Sequence, residues 1–508
     1  MRTSHAVTIA AIAVLVVLIG SFIVSVNNDE SGDGSFVILH SNDTHCYLGD
    51  DGNLGFATLK SLKAEKQSES NAVFVFDAGD FLQGNVYGTL TEGIAPVMVM
   101  NQVGYDLGVP GNHEFDFTLP VLKERTSQLN YPIICSNLVD NSTGESVFEE
   151  YKILKKGGVT LGCFGLLTDQ TATTTKKGNM GDAVVTDPIE AAERMVSFLE
   201  TKGVDYIVCI GHLGVDKNRG ITSDQVCNRV PGIDIFIDGH SHTEMEDGKV
   251  CDGSIELLPS DTIIASTGCY CKAFGVISVD KEGDISAKLY RGEKREDAKI
   301  DSIVAGIHKE IDEKLGVKIG STTITLDGVK DNVRTHETNL GDLIADSMRS
   351  ATGTDIAIVN GGGIRTSINE GDITLKDVYS VMPFQNDLCT LTVTGDNIYT
   401  AMEYSYSKYD APFGGFLQIS GMTVTYDASK AAGSRIVSIT VNGEEMDRSA
   451  SYTLTTSDFI TNGGDGHVAF MNIPTQNVGF DTAILGDYIK ELGTIDESTI
   501  QGGRLISV

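Results

Sequence analysis

The sequence predicts a two-domain α/β protein, and three observations support this. The chain has 508 residues, which is too long for one ordinary domain. Short apolar runs alternate with amphipathic stretches over its first half, as in a layered α/β domain. A charged amphipathic segment then precedes a second unit. We therefore expect an N-terminal segment at 1–34, a first domain at 35–294, a linker helix at 295–318 and a second domain at 319–508.

An uncharged apolar run at 6–26 dominates the N-terminal segment and is long enough to span a bilayer. The residues that follow, "NNDESGDGS", contain no clear cleavage site for a signal peptidase. Arg2 precedes the run and no basic residue follows it closely, which places the N-terminus inside and the body outside. We expect an extracytoplasmic protein held in the membrane by this helix. A cleaved signal peptide, which would give a secreted protein, is the alternative.

The net charge argues against a nucleic acid polymer as the partner. The chain has 38 Lys and Arg residues against 70 Asp and Glu residues, for a net charge of −32. Such a surface repels phosphate backbones. Any phosphate site must therefore be built locally, from metal ions or from a few placed arginines. The sequence leaves the oligomeric state open.

The cysteine count is odd, at 9, so at least one thiol is unpaired within the chain. Cys227 and Cys251 are a candidate disulfide if the protein is exported. Cys163 and Cys209 lie in apolar runs and are predicted to be buried thiols. No C-x-x-C pair occurs, which argues against a thiolate zinc site.

The strands and helices of the first domain follow from its apolar pattern. Six short runs rich in β-branched residues are predicted strands: "FVILH", "AVFVFDAGD", "YPIICSN", "VTLGCFGLL", "YIVCIGH" and "IDIFIDGH". "TLKSLKAEKQSES" and "PIEAAERMVSFLETKG" are predicted helices. Because most of these strands end in polar residues, we expect the functional site at the strand ends.

Carboxylate, amide and imidazole side chains recur at these strand ends. The set comprises Asp43, His45, Asp80, Asn112, His212, His240 and His242. This mixture without cysteine favours zinc, manganese, cobalt or iron. Seven ligands are too many for one tetrahedral ion but fit two ions that share a carboxylate. Such a pair activates water and polarises phosphate, so the expected reaction is hydrolysis of a phosphate ester.

The stretch "GNHEFD" at 111–116 packs an amide, an imidazole and two carboxylates behind a glycine. From the residues alone it is either a polar turn or a site for metal binding and acid–base chemistry. Glu114 receives no role from the sequence.

The second unit opens with a predicted helix, "NLGDLIADSMRSAT". It continues with "DIAIVNGGGIR", two alternating runs and a closing "SYTLTTSDFITNGGDGHVAF". The glycines of "NGGGIR" indicate either a tight turn or a backbone that approaches a ligand closely. Phe384 and Phe459, each taken alone, are better explained as core residues.

Ordered motifs in both halves resemble known families. "DTH", "GDFLQG", "GNHEFD", "GHLG" and "GHSH" resemble the calcineurin-type metallophosphoesterases. "RTHETNLGDLIADS", "NGGGIR", "GDIT", "MPFQND" and "FITNGGDG" resemble the C-terminal domain of the 5′-nucleotidase family. The resemblance covers nearly all of 37–508. It implies an N-terminal metallophosphatase β-sandwich flanked by helices, the linker helix and a C-terminal α/β nucleotide-binding domain.

The resemblance also implies which residues act at the metal centre. Asp43, His45 and His242 would hold one ion, Asp80 would bridge, and Asn112, His212 and His240 would hold the second ion. His113 would donate to the charge that develops on the phosphate. Asp116 would orient His113.

In the second domain the resemblance implies a nucleotide pocket. The predicted residues are Asn360 and Gly363 beside the base, Arg365 and Arg334 on the phosphate, Phe384 and Phe459 around the base, and Asp465 on the ribose hydroxyls. His336 stands where relatives often carry a second arginine, which weakens one phosphate contact or makes it pH-dependent.

The expected function is an extracytoplasmic two-metal phosphohydrolase that removes the 5′-phosphate from nucleoside monophosphates such as AMP. Zinc, manganese and cobalt are the expected metals. The alternatives are a 2′,3′-cyclic-nucleotide phosphodiesterase, a nucleotide-sugar or dinucleotide pyrophosphatase, and a non-catalytic surface protein that binds a ligand. The family also implies rotation of the second domain about a hinge near the linker helix.

Overall fold

The computed structural model describes residues 33–49, 52–176, 178–216, 220–409 and 411–508. The predicted membrane anchor at 6–26 lies outside the described residues. Within those ranges, no helix combines the length and the apolar character that a membrane span requires.

Two mixed β-sheets form a sandwich in the first domain. One sheet has the spatial order Ile285–Tyr290, Phe274–Val279, Phe36–Ser41, Val73–Asp77, Leu107–Gly108. The other has the order Lys249–Val250, Glu244–Glu246, Ile263–Thr267, Ile235–Ile237, Tyr206–His212, Val159–Leu167, Tyr151–Lys156. Their facing sides share one buried cluster that includes Phe76, Ile210 and Ile277. The predicted sandwich is thus confirmed.

Helices cover both outer faces of the sandwich. They are Gly55–Glu69, Val86–Thr91, Ile94–Val103, Leu119–Ser127, Thr171–Thr174, Pro188–Glu200 and Ser223–Arg229. A small sheet pairs Leu138–Asp140 with Ala183–Val185. The central strands are parallel, so their carboxyl ends point to one edge of the sandwich.

The segment 131–137, predicted as a strand, forms only isolated bridges at Ile133 and Ile134. Pro132 has no N–H to give to a ladder. The side chain of Asn137 bonds the backbone of Leu167 in both directions, at 2.8 and 2.9 Å, where a strand would have used its own backbone.

The predicted linker helix is present but shorter, at Ala298–Leu315. The carboxylate of Asp297 caps its first turn by accepting from the N–H groups of Lys299 and Ile300. Its apolar stripe is buried in the same cluster as the outer face of the first sheet. The helix therefore packs as a part of the first domain.

The second domain is built on a five-stranded mixed sheet. Its order is Leu417–Ser420, Ile356–Asn360, Ser451–Ser457, Asp387–Thr394, Thr475–Phe480. Two smaller sheets comprise Gly371–Thr374, Lys318–Thr322, Thr494–Ile495 and Glu444–Glu445, Ile436–Val441, Met422–Tyr426, Leu505–Ser507. The helices are Lys330–Val333, Asn339–Thr352, Leu375–Val381, Gly395–Ser407, Asp458–Thr461 and Asp481–Leu492.

All nine cysteines are free thiols in the structure. The predicted pairing of Cys227 with Cys251 is therefore wrong. Cys227 is buried on the helix Ser223–Arg229, whereas Cys251 is exposed beside Arg291, whose Nη2 lies 3.5 Å from its sulfur. The prediction that Cys163 and Cys209 are buried is confirmed.

Candidate active site

The predicted metal ligands converge at the carboxyl edge of the sandwich. Asp43 and Asp80 follow the strands Phe36–Ser41 and Val73–Asp77. His212 ends the strand Tyr206–His212, and His240 and His242 follow Ile235–Ile237. Parallel strands deliver their ends to one place, which is why residues so distant in sequence meet.

Asp43, His45 and His242 form one group whose ligand atoms all lie within 4.8 Å of one another. The Nε2 atoms of the two histidines are 3.1 Å apart, and His242 Nε2 lies 3.4 Å from Asp43 Oδ1. His45 Nδ1 donates to the carbonyl of Gln83 at 2.8 Å. That bond fixes the tautomer and aims the Nε2 lone pair of His45 into the group.

Asp43, Asp80 and His212 form a second group of the same kind. His212 Nδ1 donates to the carbonyl of Ala78 at 2.7 Å, so its Nε2 faces Asp80 Oδ2 at 3.1 Å. Asp80 Oδ2 also lies 3.8 Å from His45 Nε2. Both Asp43 and Asp80 therefore face both groups, and a bridging role for Asp80 stays a prediction.

Asn112 and His240 lie beside the second group. His240 Nδ1 donates to Asn112 Oδ1 at 2.9 Å, and the His240 ring lies 5.2 Å from that of His212. The backbone N–H of His240 donates to both carboxylate oxygens of Asp43, at 3.1 and 2.9 Å. Asn112 and His240 are therefore placed where they could complete the coordination of an ion held by the second group.

The chemistry of this donor set fits two divalent cations. Asp43 and Asp80 are buried carboxylates that no Lys or Arg pairs among the ion pairs of the described residues. Burial raises the pKa of Asp43 to about 7, and the neighbouring Asp80 adds to this. Cations bound between the two groups would supply the positive charge that such carboxylates need.

His113 and Asp116 form a catalytic-type pair at the edge of the groups. The 3₁₀ turn His113–Phe115 brings them together, and His113 Nδ1 donates to Asp116 Oδ2 at 2.6 Å. Burial alone would lower the pKa of His113, but the carboxylates of Asp116 and Asp80 raise it above its ordinary value. The imidazole is therefore held ready to present a proton to the cavity that it lines.

Glu114 has a position that the sequence did not indicate. Its side chain is fully buried. The carboxylate accepts four backbone N–H groups, from Asp80, Phe81 and Leu82 at 2.7, 2.7 and 2.9 Å and from Gly111 at 2.5 Å. One carboxylate thus ties the loop of Asp80 to the loop of Asn112. In the sequence, the only feature that could have drawn attention to Glu114 is that it is an acidic residue without an assigned role inside a polar turn.

Five predicted ligands have left-handed backbone angles, which non-glycine residues rarely adopt. The φ values are 48° for Asp43, 47° for His45, 59° for Asp80, 73° for His240 and 60° for His242. Such strain clusters at functional sites, where the surrounding structure holds it.

A cavity of about 1010 Å³ joins these groups to the second domain. Its lining includes Asp80, Asn112, His113, Asp116, His240 and His242 from the first domain, and Arg334, Asn360, Gly363, Arg365, Phe384, Phe459 and Asp465 from the second. The structure thus brings all but one of the predicted substrate-binding residues to the same cavity as four of the predicted metal ligands.

Several contacts order the substrate side of the cavity. Asn360 Nδ2 donates to Asp465 Oδ2 at 2.8 Å. The Arg365 guanidinium carbon lies 5.4 Å from the centre of the Phe384 ring. The Phe384 ring in turn stacks on His113, with centroids 5.4 Å apart and an interplanar angle of 14°.

His336 is the predicted residue that the structure does not bring to the cavity. It is exposed, and its Nδ1 lies 3.0 Å from Thr335 Oγ1. Lys330 lines the cavity instead, together with Arg334 four residues later. Residues at this spacing share a helix face, which is the sequence signal that could have identified Lys330.

Comparisons with known proteins agree with both halves. Residues 36–244 match the family "Calcineurin-like phosphoesterase", and residues 318–472 match "5'-nucleotidase, C-terminal domain". Relatives include the 5′-nucleotidase of Vibrio vulnificus, 29% identical over 90% of this chain and 91% of that protein. The trifunctional nucleotide phosphoesterase protein YfkN of Bacillus subtilis is 31% identical over 94% of this chain, which spans only 35% of that longer protein.

A solved structure shows the same architecture. The 5′-nucleotidase precursor of Thermus thermophilus superposes with a TM-score of 0.81 at 27% identity, over 93% of this chain and 99% of that one.

Proposed function

The chain belongs to the 5′-nucleotidase family of calcineurin-like phosphoesterases, which are hydrolases, and we propose that it removes the 5′-phosphate from nucleoside monophosphates such as AMP. One observation carries the proposal. A single cavity is lined by four of the predicted metal ligands, by the His113–Asp116 pair and by all of the predicted nucleotide-binding residues except His336. A phosphate at the metal groups and a nucleoside in the second domain can therefore be bound at once.

Two divalent cations, which we propose to be zinc, manganese or cobalt, would polarise the phosphate and acidify an attacking water. Asp43, His45 and His242 would hold one ion, and Asp80, His212, Asn112 and His240 would complete the second site. The group of Asp43, His45 and His242 has the same members as the set that the family resemblance implies for one ion.

The protein's own side chains would do the remaining work. His113, held by Asp116, presents an N–H to phosphate oxygens as their charge develops. Lys330, Arg334 and Arg365 bring positive charge into the cavity of a chain whose net charge is −32. The carboxylate of Asp465 suits the ribose hydroxyls as an acceptor. Phe459 and Phe384 offer ring faces to the base.

The size of the cavity favours a second candidate, a nucleotide sugar or a dinucleotide. Small-molecule sites span roughly 300–1,000 Å³, and this cavity of about 1010 Å³ lies at the upper end. Ile255, Leu257 and Leu258 line the cavity as well. This apolar part of the cavity would accept the sugar or the second nucleoside that such a substrate carries.

We propose an extracytoplasmic location with an N-terminal membrane anchor on the strength of the apolar run at 6–26. Cell fractionation and N-terminal sequencing of the mature protein test this. A mature protein that begins after the run would replace the anchor with a cleaved signal.

The test of the activity starts from chelated protein. Zinc, manganese or cobalt is added back. Phosphate release is then measured from AMP, and formation of a nucleoside monophosphate is measured from a nucleotide sugar and from a dinucleotide. We expect release from AMP together with near two metal equivalents per chain. Asp43→Asn should lose metal, and Asp140→Asn, at a partly exposed position outside the cavity, should keep it. Metal-loaded wild type without turnover of any of these substrates would overturn the proposal.

A further inference from the structure

The Phe384 ring contacts the catalytic imidazole as well as the space for a base. Its stacking on His113, at 5.4 Å and 14°, is an offset parallel arrangement within the range of favourable aromatic pairs. The Asp116 bond fixes one edge of the His113 ring. A hydrogen bond at one edge leaves the tilt of the ring plane less restrained, and a stacked ring face restrains that tilt.

The segment around Phe384 is anchored to the first domain through its neighbour. The carbonyl of Pro383 accepts from Thr89 Oγ1 at 2.7 Å and from Gln83 Nε2 at 3.4 Å. Gln83 also fixes His45 through its own carbonyl. The loop that carries Phe384 is therefore docked beside the metal groups, and its place there depends on contact between the domains.

We infer that Phe384 is a positioning residue for His113: its ring, brought by the second domain, holds the imidazole in the orientation that turnover needs. This inference rests on the proposed function. It adds a second role to the base contact expected of Phe384, because a ring has two faces and His113 occupies one.

The test compares Phe384→Leu, which keeps bulk without a ring, with Phe384→Tyr, which keeps the ring. kcat and KM are measured separately for AMP and for ribose 5-phosphate, which has no base. Phe384→Leu should lower kcat for both substrates by roughly twofold to tenfold, the value of one aromatic pair. Phe384→Tyr should restore kcat. Phe480→Leu, which removes a half-exposed ring outside the cavity, is the matched control and should leave both constants unchanged.

A role in base binding alone gives a different result. Phe384→Leu would then raise KM for AMP while kcat for ribose 5-phosphate stays at the wild-type value, and the inference would be overturned. A second arm uses His113→Ala. In that background Phe384→Leu should not lower the residual kcat further, and an undiminished effect would also overturn the inference. Inactive wild-type protein would instead sink the proposed function, so the two failures are distinguishable.

Discussion

His113 and Glu114 are neighbours in the chain but serve different parts of the site. The His113 side chain points to the cavity, and its backbone N–H donates to Asp80 Oδ1 at 2.8 Å. The Glu114 side chain does not line the cavity and accepts backbone N–H groups from the loops that carry the predicted metal ligands Asp80 and Asn112. Substitutions at the two positions should therefore separate catalysis from metal binding.

His113→Ala should leave metal content near the wild-type value and lower kcat by roughly 10²- to 10³-fold. The reason is that the backbone N–H to Asp80 survives the change and only the side-chain donor is lost. Metal analysis and steady-state kinetics on the same preparation check this. Loss of metal in the variant would show instead that His113 is a ligand.

Glu114→Gln should weaken metal binding by roughly tenfold to 100-fold. The amide replaces one acceptor oxygen by an NH₂ group, which then opposes the backbone N–H groups around it. Titration of the chelated protein with zinc measures the effect. Glu145→Gln, at an exposed position, is the control. Equal affinities in the two variants would contradict the role given to Glu114.

At the scale of elements, strong apolar periodicity predicted structure well. The helix Asn339–Thr352 has the predicted bounds, and Pro188–Glu200 and Tyr206–His212 match their predictions closely. The failure at 131–137 depended on Pro132 and on the side-chain bonds of Asn137. The bonds of Asn137 require the strand that contains Leu167 as a partner, and the local sequence around 131–137 does not reveal that partner.

The same limit applies to the site. The convergence of the ligands was predictable because strands that end in polar residues share an edge. The Glu114 bonds and the stacking of Phe384 on His113 were not, because each depends on how distant loops meet. His336 was predicted from motif position alone, and the course of the short helix Lys330–Val333 turned Lys330 inward instead.

The C-terminal strand is tied to the helix Asn339–Thr352 by a cluster of charged side chains. Glu337 accepts the N–H groups of Arg504 and Leu505, at 3.0 and 2.9 Å. Arg504 pairs with Asp346 at 2.6 Å and lies 3.5 Å from Asp342. Burial raises the pKa of Asp342 to about 8, with Glu337 adding to the effect and Arg504 opposing it.

Asp342→Asn should flatten the dependence of stability on pH. A folded-state pKa above the ordinary 3.8 means that the folded protein keeps a proton that the unfolded chain releases. The free energy of unfolding therefore falls as pH rises from about 4 to about 8, by at most about 1.4 kcal/mol per pH unit. Thermal melting of metal-free protein across this range measures it, with Asp487→Asn at the surface as the control. A slope equal to that of wild type would refute the assignment.

At the scale of the whole molecule, a small number of polar contacts joins the domains. Lys176 of the first domain pairs with Asp387 and Asp458 of the second, at 2.9 and 2.8 Å. Lys376 pairs with Asp312 of the linker helix at 2.9 Å. Because that helix buries its apolar stripe against the first domain, we expect any domain rotation to turn at 316–317, just after the helix, rather than within it.

Lys176→Met should shift the protein toward an open arrangement. Partly exposed ion pairs contribute up to about 1 kcal/mol, so we expect KM for AMP to rise by up to about fivefold and to lose part of its dependence on salt. Small-angle scattering without substrate should show a larger radius of gyration. Lys490→Met breaks a surface pair within one helix and is the control. An unchanged radius would show that other contacts hold the domains.

The left-handed backbone at five predicted ligands has a consequence for how this protein can change over generations. Glycine is the replacement that such a backbone accepts with least cost, and glycine carries no donor atom. A change of that kind at His240 or His242 relaxes the loop while it removes a predicted ligand. A substitution by glycine at these positions would therefore remove activity without destabilising the fold. The backbone at these positions thus gives the fold no reason to keep a histidine, and only the function proposed for the site would require one.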